Sequence, residues 1–284
     1  MASGPAGRPG ERMKLQIVAP SRGLDWVRRA FQVFVRQPLG FASLFAACLF
    51  VFLLLGLIPV VGTVALLVLP PAGSLLFMIA SRLAAAGTGP MPAALMELGG
   101  AGRTRLIALL KLGLVYAAAT FFVFWLAGVI DGGALEAFFD ALPDAKTTPE
   151  SATARIADPR LQLGLLVRLV FAGALSVPFW HAPALIHWGG QGWAKSLFFS
   201  SVALWRNKGA FAVYGLAWMA LWLLLLAIVS LGVGLFGAQR FTLVATPLTL
   251  VFSTVFYASL WFTFVDCFTP EAADAAPSDD LAGC

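Results

Sequence analysis

The chain has 284 residues, 60% of them hydrophobic and 12% charged, with a mean hydropathy of +0.88. A soluble domain carries about 25% charge and 45–50% apolar residues, so a water-soluble globule is excluded and lipid must be the solvent for most of the surface. The net charge of +5 gives no case for nucleic acid, because Lys and Arg stand at the ends of apolar runs and not on one face beside stacking aromatics.

Residues 1–20 are expected to form a disordered tail, the first twelve (MASGPAGRPGER) being rich in Gly and Pro. Met13 opens MKLQIV and offers a second start. The stretch 24–37 (LDWVRRAFQVFVRQ) is apolar but too charged to cross a membrane. Asp25, Arg28, Arg29, Gln32 and Arg36 fall within about a third of the helical circle, opposite Trp26, Ala30, Phe31, Val33 and Phe34. That pattern predicts a helix lying in the headgroup layer, ended by Pro38.

A span needs about 20 apolar residues. Six stretches qualify, at 39–59, 64–83, 106–130, 161–186, 211–235 and 241–264. The first has no small-residue cleavage site after it and reads as a retained span. PVVGT at 59–63 predicts a tight turn. Pro70 and Pro71 remove two backbone donors from the second span, which should bend or break there. The connector 87–103 predicts a short helix over 92–98, and 131–160 is the long acidic loop. A second amphipathic helix is expected from Trp193 to Asn207, with Lys195, Ser196, Ser200, Arg206 and Asn207 on its polar side. Trp193, Leu197, Phe198, Leu204 and Trp205 would face the membrane. The tail 269–284 is acidic and expected to be disordered.

The segments before span 1, between spans 2 and 3, and between spans 4 and 5 hold 14 of the 19 Lys and Arg residues when Arg82, Lys111 and the flanks are included. Positive residues stay cytoplasmic, so both termini are expected inside and the acidic loop outside. The architecture is therefore all-α, a polytopic membrane helical bundle of six transmembrane helices with cytoplasmic-side interfacial helices. The order amphipathic segment, span, span occurs at 24–83 and again at 193–264, with a weaker copy at 91–186; a tandem repeat is one account of it.

His181 and His187 are candidates as metal ligands or proton relays. Six residues set them roughly 240° apart on a straight helix, with no HExxH and no carboxylate on the same face. Separate hydrogen bonds near the inner interface are the plainer expectation. Trp26, Trp188 and Trp193, with Arg28, Arg29, Arg36, Lys195 and Arg206, read as interface anchors. Arg168 is an ionisable residue inside a span, which calls for a function, for snorkelling or for a partner such as Asp131. Lys111 and Asp266 lie near the inner surface and suggest less. Thr242, Thr246, Thr249, Ser253 and Tyr257 form one stripe that could line a path or let helices pack closely.

The cysteines Cys48, Cys267 and Cys284 have no CxxC spacing, and Cys284 stands in no prenylation signal. No metal or other cofactor is expected. No nucleophile, phosphate-loop or paired-carboxylate motif appears, so the chain is not expected to be an enzyme.

MKLQIV at 13–18, the Trp26 helix, IPVVG at 58–62, HAPALIHW at 181–188, KSLFFS at 195–200 and GAFAVYGLAWM at 209–219 resemble an uncharacterised family of betaproteobacterial inner-membrane proteins. The resemblance covers about residues 13–268 and rests chiefly on the HAPALIHW…KSLFFS block. More loosely, the chain is similar to the membrane domain attached to some glycerophosphodiester phosphodiesterases. The likeness implies location and fold without a mechanism. Two functions stay open: a non-enzymatic protein binding phospholipids, another membrane protein or its own copy, and a small-solute or ion transporter or channel. Transport would use Pro70, Pro71, His181 and Thr246.

Overall fold

The computed structural model describes residues 13–141 and 157–270. Residues 1–12 and 271–284 of the expected tails, and most of the acidic loop at 142–156, lie outside the described residues.

The fold is all-helical, with one minimal sheet. In chain order come β1 (Met13–Leu15), α1 (Arg22–Arg36), α2 (Pro38–Gly56), α3 (Val61–Val68), α4 (Pro70–Ala85), α5 (Pro90–Gly99), α6 (Arg103–Asp131) and α7 (Ala134–Ala141). After the loop come α8 (Pro159–Phe179), α9 (Ala182–His187), α10 (Trp193–Arg206), α11 (Lys208–Phe236), α12 (Ala238–Cys267) and β2 (Phe268–Pro270). Proline punctuates the helices where its missing N–H is harmless. It occupies the first turn of α2, α4, α5, α8 and α9. At α8 the Asp158 carboxylate also accepts from the Arg160 N–H at 2.8 Å, an ordinary N-cap.

Pro70 and Pro71 act as expected. They separate α3 from α4, and the pair is bent by 45°. Span 4 is also interrupted: α8 stops at Phe179 and α9 resumes at Ala182. Among the described residues five helices, with the joined α8–α9 counted as one, are long and apolar enough to cross a membrane, and the bent α3–α4 pair qualifies as one more. β1 pairs antiparallel with β2, Lys14 opposite Thr269, so residues 13 and 270 lie at the same end of the bundle. An odd number of crossings would separate them. The bent pair is therefore a full span, and the spans number six.

Residues 13–20 thus differ from the expected tail. Beyond the strand, the Val18 N–H donates to Asn207 Oδ1 at 2.8 Å and Asn207 Nδ2 donates to the Gln16 carbonyl at 3.0 Å. Asn207 is buried, and a buried amide needs such partners.

α12 is the central helix. Of its most apolar 18-residue window 56% is buried, against 11% to 22% in the other long spans. α1, α4 and α11 pack around it, while α6 packs with α8 and α3. The order short helix, span, span runs three times: α1 to α4, α5 to α9, and α10 to α12.

Two faces differ from expectation. Trp26, Val27, Ala30 and Val33 of α1 are buried against protein, not laid in lipid. Trp26 is fully buried, its ring 5.1 Å from Phe211 and its indole N–H donating to Asp266 at 2.8 Å. Arg29 pairs with the same carboxylate at 3.1 Å. Gly23 permits this docking, since a Cβ there would lie 2.2 Å from the Ala210 carbonyl oxygen. Arg28 and Arg36 remain on the surface. On α10 the polar stripe turns inward: Ser196, Ser200, Ala203 and Asn207 are buried, whereas Phe198 and Trp205 are exposed. Small residues let helices approach closely, and the Ser200 hydroxyl donates to the Val177 carbonyl while accepting from the His181 N–H, both at 3.0 Å.

Candidate functional site

α4, α6, α8 and α12 line a cavity of about 520 Å³, with Pro70 and Pro71 in its wall. Its wall is mostly apolar and aromatic, with Tyr116, Phe179, Trp180, Phe256 and Tyr257 beside the two prolines. Phe124 and Leu169 belong to the wall yet are 54% and 70% exposed. The cavity therefore reaches the outer surface of the helices, which faces lipid, at Phe124 and Leu169.

Arg168 stands in this wall. Its Nη1 donates to Asp131 Oδ2 at 2.5 Å, and the two side chains are 12% and 0% exposed. The second Asp131 oxygen accepts from the Gly133 N–H at 2.9 Å. Of the outcomes open for Arg168, the structure realises pairing with Asp131. Gly164 makes room for it, because a Cβ there would fall 2.3 Å from Asp131 Oδ2 and 2.8 Å from Arg168 Nη1. Two residues of the wall each have a buried polar atom without a hydrogen-bond partner among the described residues, Arg168 Nε and Thr120 Oγ1, and neither atom is exposed to the cavity. Buried polar groups are rarely left so.

The two histidines serve different neighbours. His181 caps α9, is fully buried, and shares a 3.1 Å hydrogen bond with Thr263 Oγ1. Thr263 also accepts from the Trp180 indole at 3.1 Å. Phe211, Phe264 and Phe268 surround the ring. His187 Nε2 lies 3.2 Å from Glu97 Oε1, and the other Glu97 oxygen pairs with Arg82. Nothing brings His181 and His187 to one ligand. Among the described residues no three His, Cys, Asp or Glu side chains could hold a metal ion.

Glu97 was not singled out from the sequence, although it is the one carboxylate in the 87–103 connector. Partial burial pushes its pKa up, but the hydrogen bond to His187 and the charge of Arg82 outweigh this and hold it below the usual range. A depressed carboxylate stabilises the fold fully above its unfolded value, about 4.3, and loses that contribution as pH falls through the folded value. Glu97→Gln should therefore lower stability at neutral pH by about 1 kcal/mol, solvent screening the partly exposed pair. It should also flatten the fall in melting temperature below about pH 4.5. Thermal unfolding across a pH series of both proteins measures this.

The remaining candidates scatter. Thr246 and Thr249 are exposed on α12, away from the cavity wall, and Thr249 bonds the Ala245 carbonyl at 2.9 Å. Only Tyr257 of that stripe reaches the cavity. Trp188 is buried against Trp261 and Phe264 instead of sitting at an interface, because α9, which it follows, is buried along its whole length. Trp193 is partly buried, while Lys195 and Arg206 are exposed. Lys111 is exposed, and Asp266 is the shared partner of Trp26, Arg22 and Arg29.

One relative, a probable inner membrane protein of Burkholderia thailandensis, is 33% identical over 258 residues, which make up 90% of this chain and 94% of its own length. No protein-family model matches the chain. No solved structure matches it.

Proposed function

We propose that the chain, which belongs to the same family as this probable inner membrane protein, is a non-enzymatic lipid-binding protein of the inner membrane. The observation that carries this reading is the cavity of about 520 Å³, apolar inside and open sideways to the bilayer. Pockets for small molecules run about 300–1,000 Å³ and are mainly apolar with a few polar groups. A soluble solute would need a wet route from one face to the other; a lipid needs only the side door.

The positive-inside count supports a cytoplasmic position for the β1–β2 end, with α1, α5 and α10. There Arg28, Arg36, Lys195 and Arg206 are exposed and would meet phospholipid headgroups. Phe198 and Trp205 would enter the interface beside them.

Ala172 lines the cavity and can be filled without touching the core. Ala172→Trp should leave the melting temperature near that of the parent and remove most of the lipid that survives delipidating washes. Native mass spectrometry from nanodiscs reads both species. Retention of the same lipid by the filled variant would overturn the reading. The alternative, a small-solute or ion transporter or channel, draws on the Pro70–Pro71 break in the cavity wall. It requires flux through proteoliposomes that Ala172→Trp abolishes.

A further inference from the structure

We infer that the groove between α1 and α11 holds one phospholipid whose headgroup carries a net negative charge. The groove has a volume of about 550 Å³ and shares no residue with the cavity, so the inference goes beyond the reading above. α1 contributes Leu24, Val27, Arg28, Phe31 and Gln32 to it. α11 contributes Ala217, Ala220, Leu221 and Leu224, spaced by three, one and three, which is one stripe along a helix. The two alanines make the hollow, and Phe31 is held at its side by stacking on Trp218 at 6.2 Å. Leu24, Phe31, Ala220 and Leu224 are exposed, so the hollow opens onto the lipid-facing surface.

Charge selects the headgroup. Arg22, Arg28, Arg29, Asp25 and Asp266 form one chain of ion pairs, in which three cations meet two carboxylates and one positive charge is left over. That excess falls on Arg28. Its side chain is 66% exposed, and among the described residues its only carboxylate partner is Asp25, at 3.8 Å and shared with Arg22. This is longer than a hydrogen bond, so the guanidinium fork keeps its donors for a phosphate, which it can take in bidentate fashion. Gln32 stands one turn on along the same face and adds two amide donors for the same group. The order of the two ends also fits a lipid. α1 is tied to Asp266 at the β1–β2 end of the bundle, whereas Ala217 to Leu224 cover about 10 Å of the spanning helix α11. A head on Arg28 and Gln32 therefore leaves an acyl chain in the stripe. A soluble phosphate would meet the charge but leave the apolar hollow empty.

The experiment titrates the delipidated full chain, in one mild detergent, with dioleoylphosphatidylglycerol, dioleoylphosphatidylethanolamine and dioleoylphosphatidylcholine. Native mass spectrometry counts the one-to-one complexes. Phosphatidylglycerol should bind about fivefold more tightly than either zwitterionic lipid, the effect of one arginine at a membrane surface. Arg28→Gln should remove that preference. Arg103→Gln deletes an exposed arginine outside the groove and should keep it. Ala220→Trp fills the hollow from an exposed position and should weaken all three lipids by more than about tenfold, several chain methylenes losing their contact. Equal affinity of the parent for the three lipids would overturn the proposal. So would an equal loss in Arg103→Gln and Arg28→Gln, or parent-like binding by Ala220→Trp. Ala172→Trp keeps the two readings apart. The groove predicts an unchanged preference in that variant, whatever becomes of the lipid in the cavity; a preference lost there belongs to the cavity and overturns the groove.

Discussion

Asp131→Ala is expected to destabilise the protein by about 3–5 kcal/mol, the cost of leaving a buried charge without its partner. Arg168 is only 12% exposed although its partner Asp131 closes the end of α6, so water can relieve the lone charge only in part. Asp131 also caps the end of α6 through the Gly133 N–H, and that bond is lost too. Replacing both partners, as Arg168→Met with Asp131→Leu, should restore most of the loss, because an apolar pair of similar volume avoids both desolvation and imbalance. Thermal unfolding in one detergent, scored as a double-mutant cycle, tests this. A parent-like melting temperature for Asp131→Ala would show that the pair contributes nothing.

Trp26→Ala should cost a similar amount, about 3–5 kcal/mol, the usual range for deleting a buried aromatic. The substitution empties the space against Phe211 and Tyr214 and removes an indole donor from Asp266. Trp26→Phe should cost less, since it refills most of the volume and loses the hydrogen bond alone. Were Trp26 an interface anchor, both variants would unfold like the parent and only the membrane partitioning of the isolated α1 peptide would suffer. Unfolding curves of the two variants tell these accounts apart.

The comparison shows where sequence reasoning carries and where it stops. The spans were legible because a bilayer demands long apolar runs, and Pro70–Pro71 because a missing donor acts locally whatever the tertiary context. Pairing of Arg168 with Asp131 was among the options, since a buried cation in lipid has few partners within reach. The buried faces of α1 and α10 were not legible. An amphipathic pattern says that two sides differ, but not whether the apolar side meets lipid or protein. In membrane proteins small polar residues also pack inward, which is how Ser196, Ser200 and Asn207 came to be read on the wrong side. Glu97 and His187 stand 90 residues apart, and no periodicity links them. A cavity is the absence of side chains, and only its prolines leave a trace in the sequence.

The pairing of Met13–Leu15 with Phe268–Pro270 has a consequence for how the protein is made. At about 5–20 residues per second, synthesis leaves β1 waiting on the order of ten to fifty seconds for its partner strand. Asn207, which holds the Gln16 and Val18 backbone, arrives earlier but still after four of the spans. The first strand therefore stays an unpaired ribbon until α12 and β2 have been made. A chain cut short before Phe268 would leave β1 without its partner strand and Asn207 as its remaining hold.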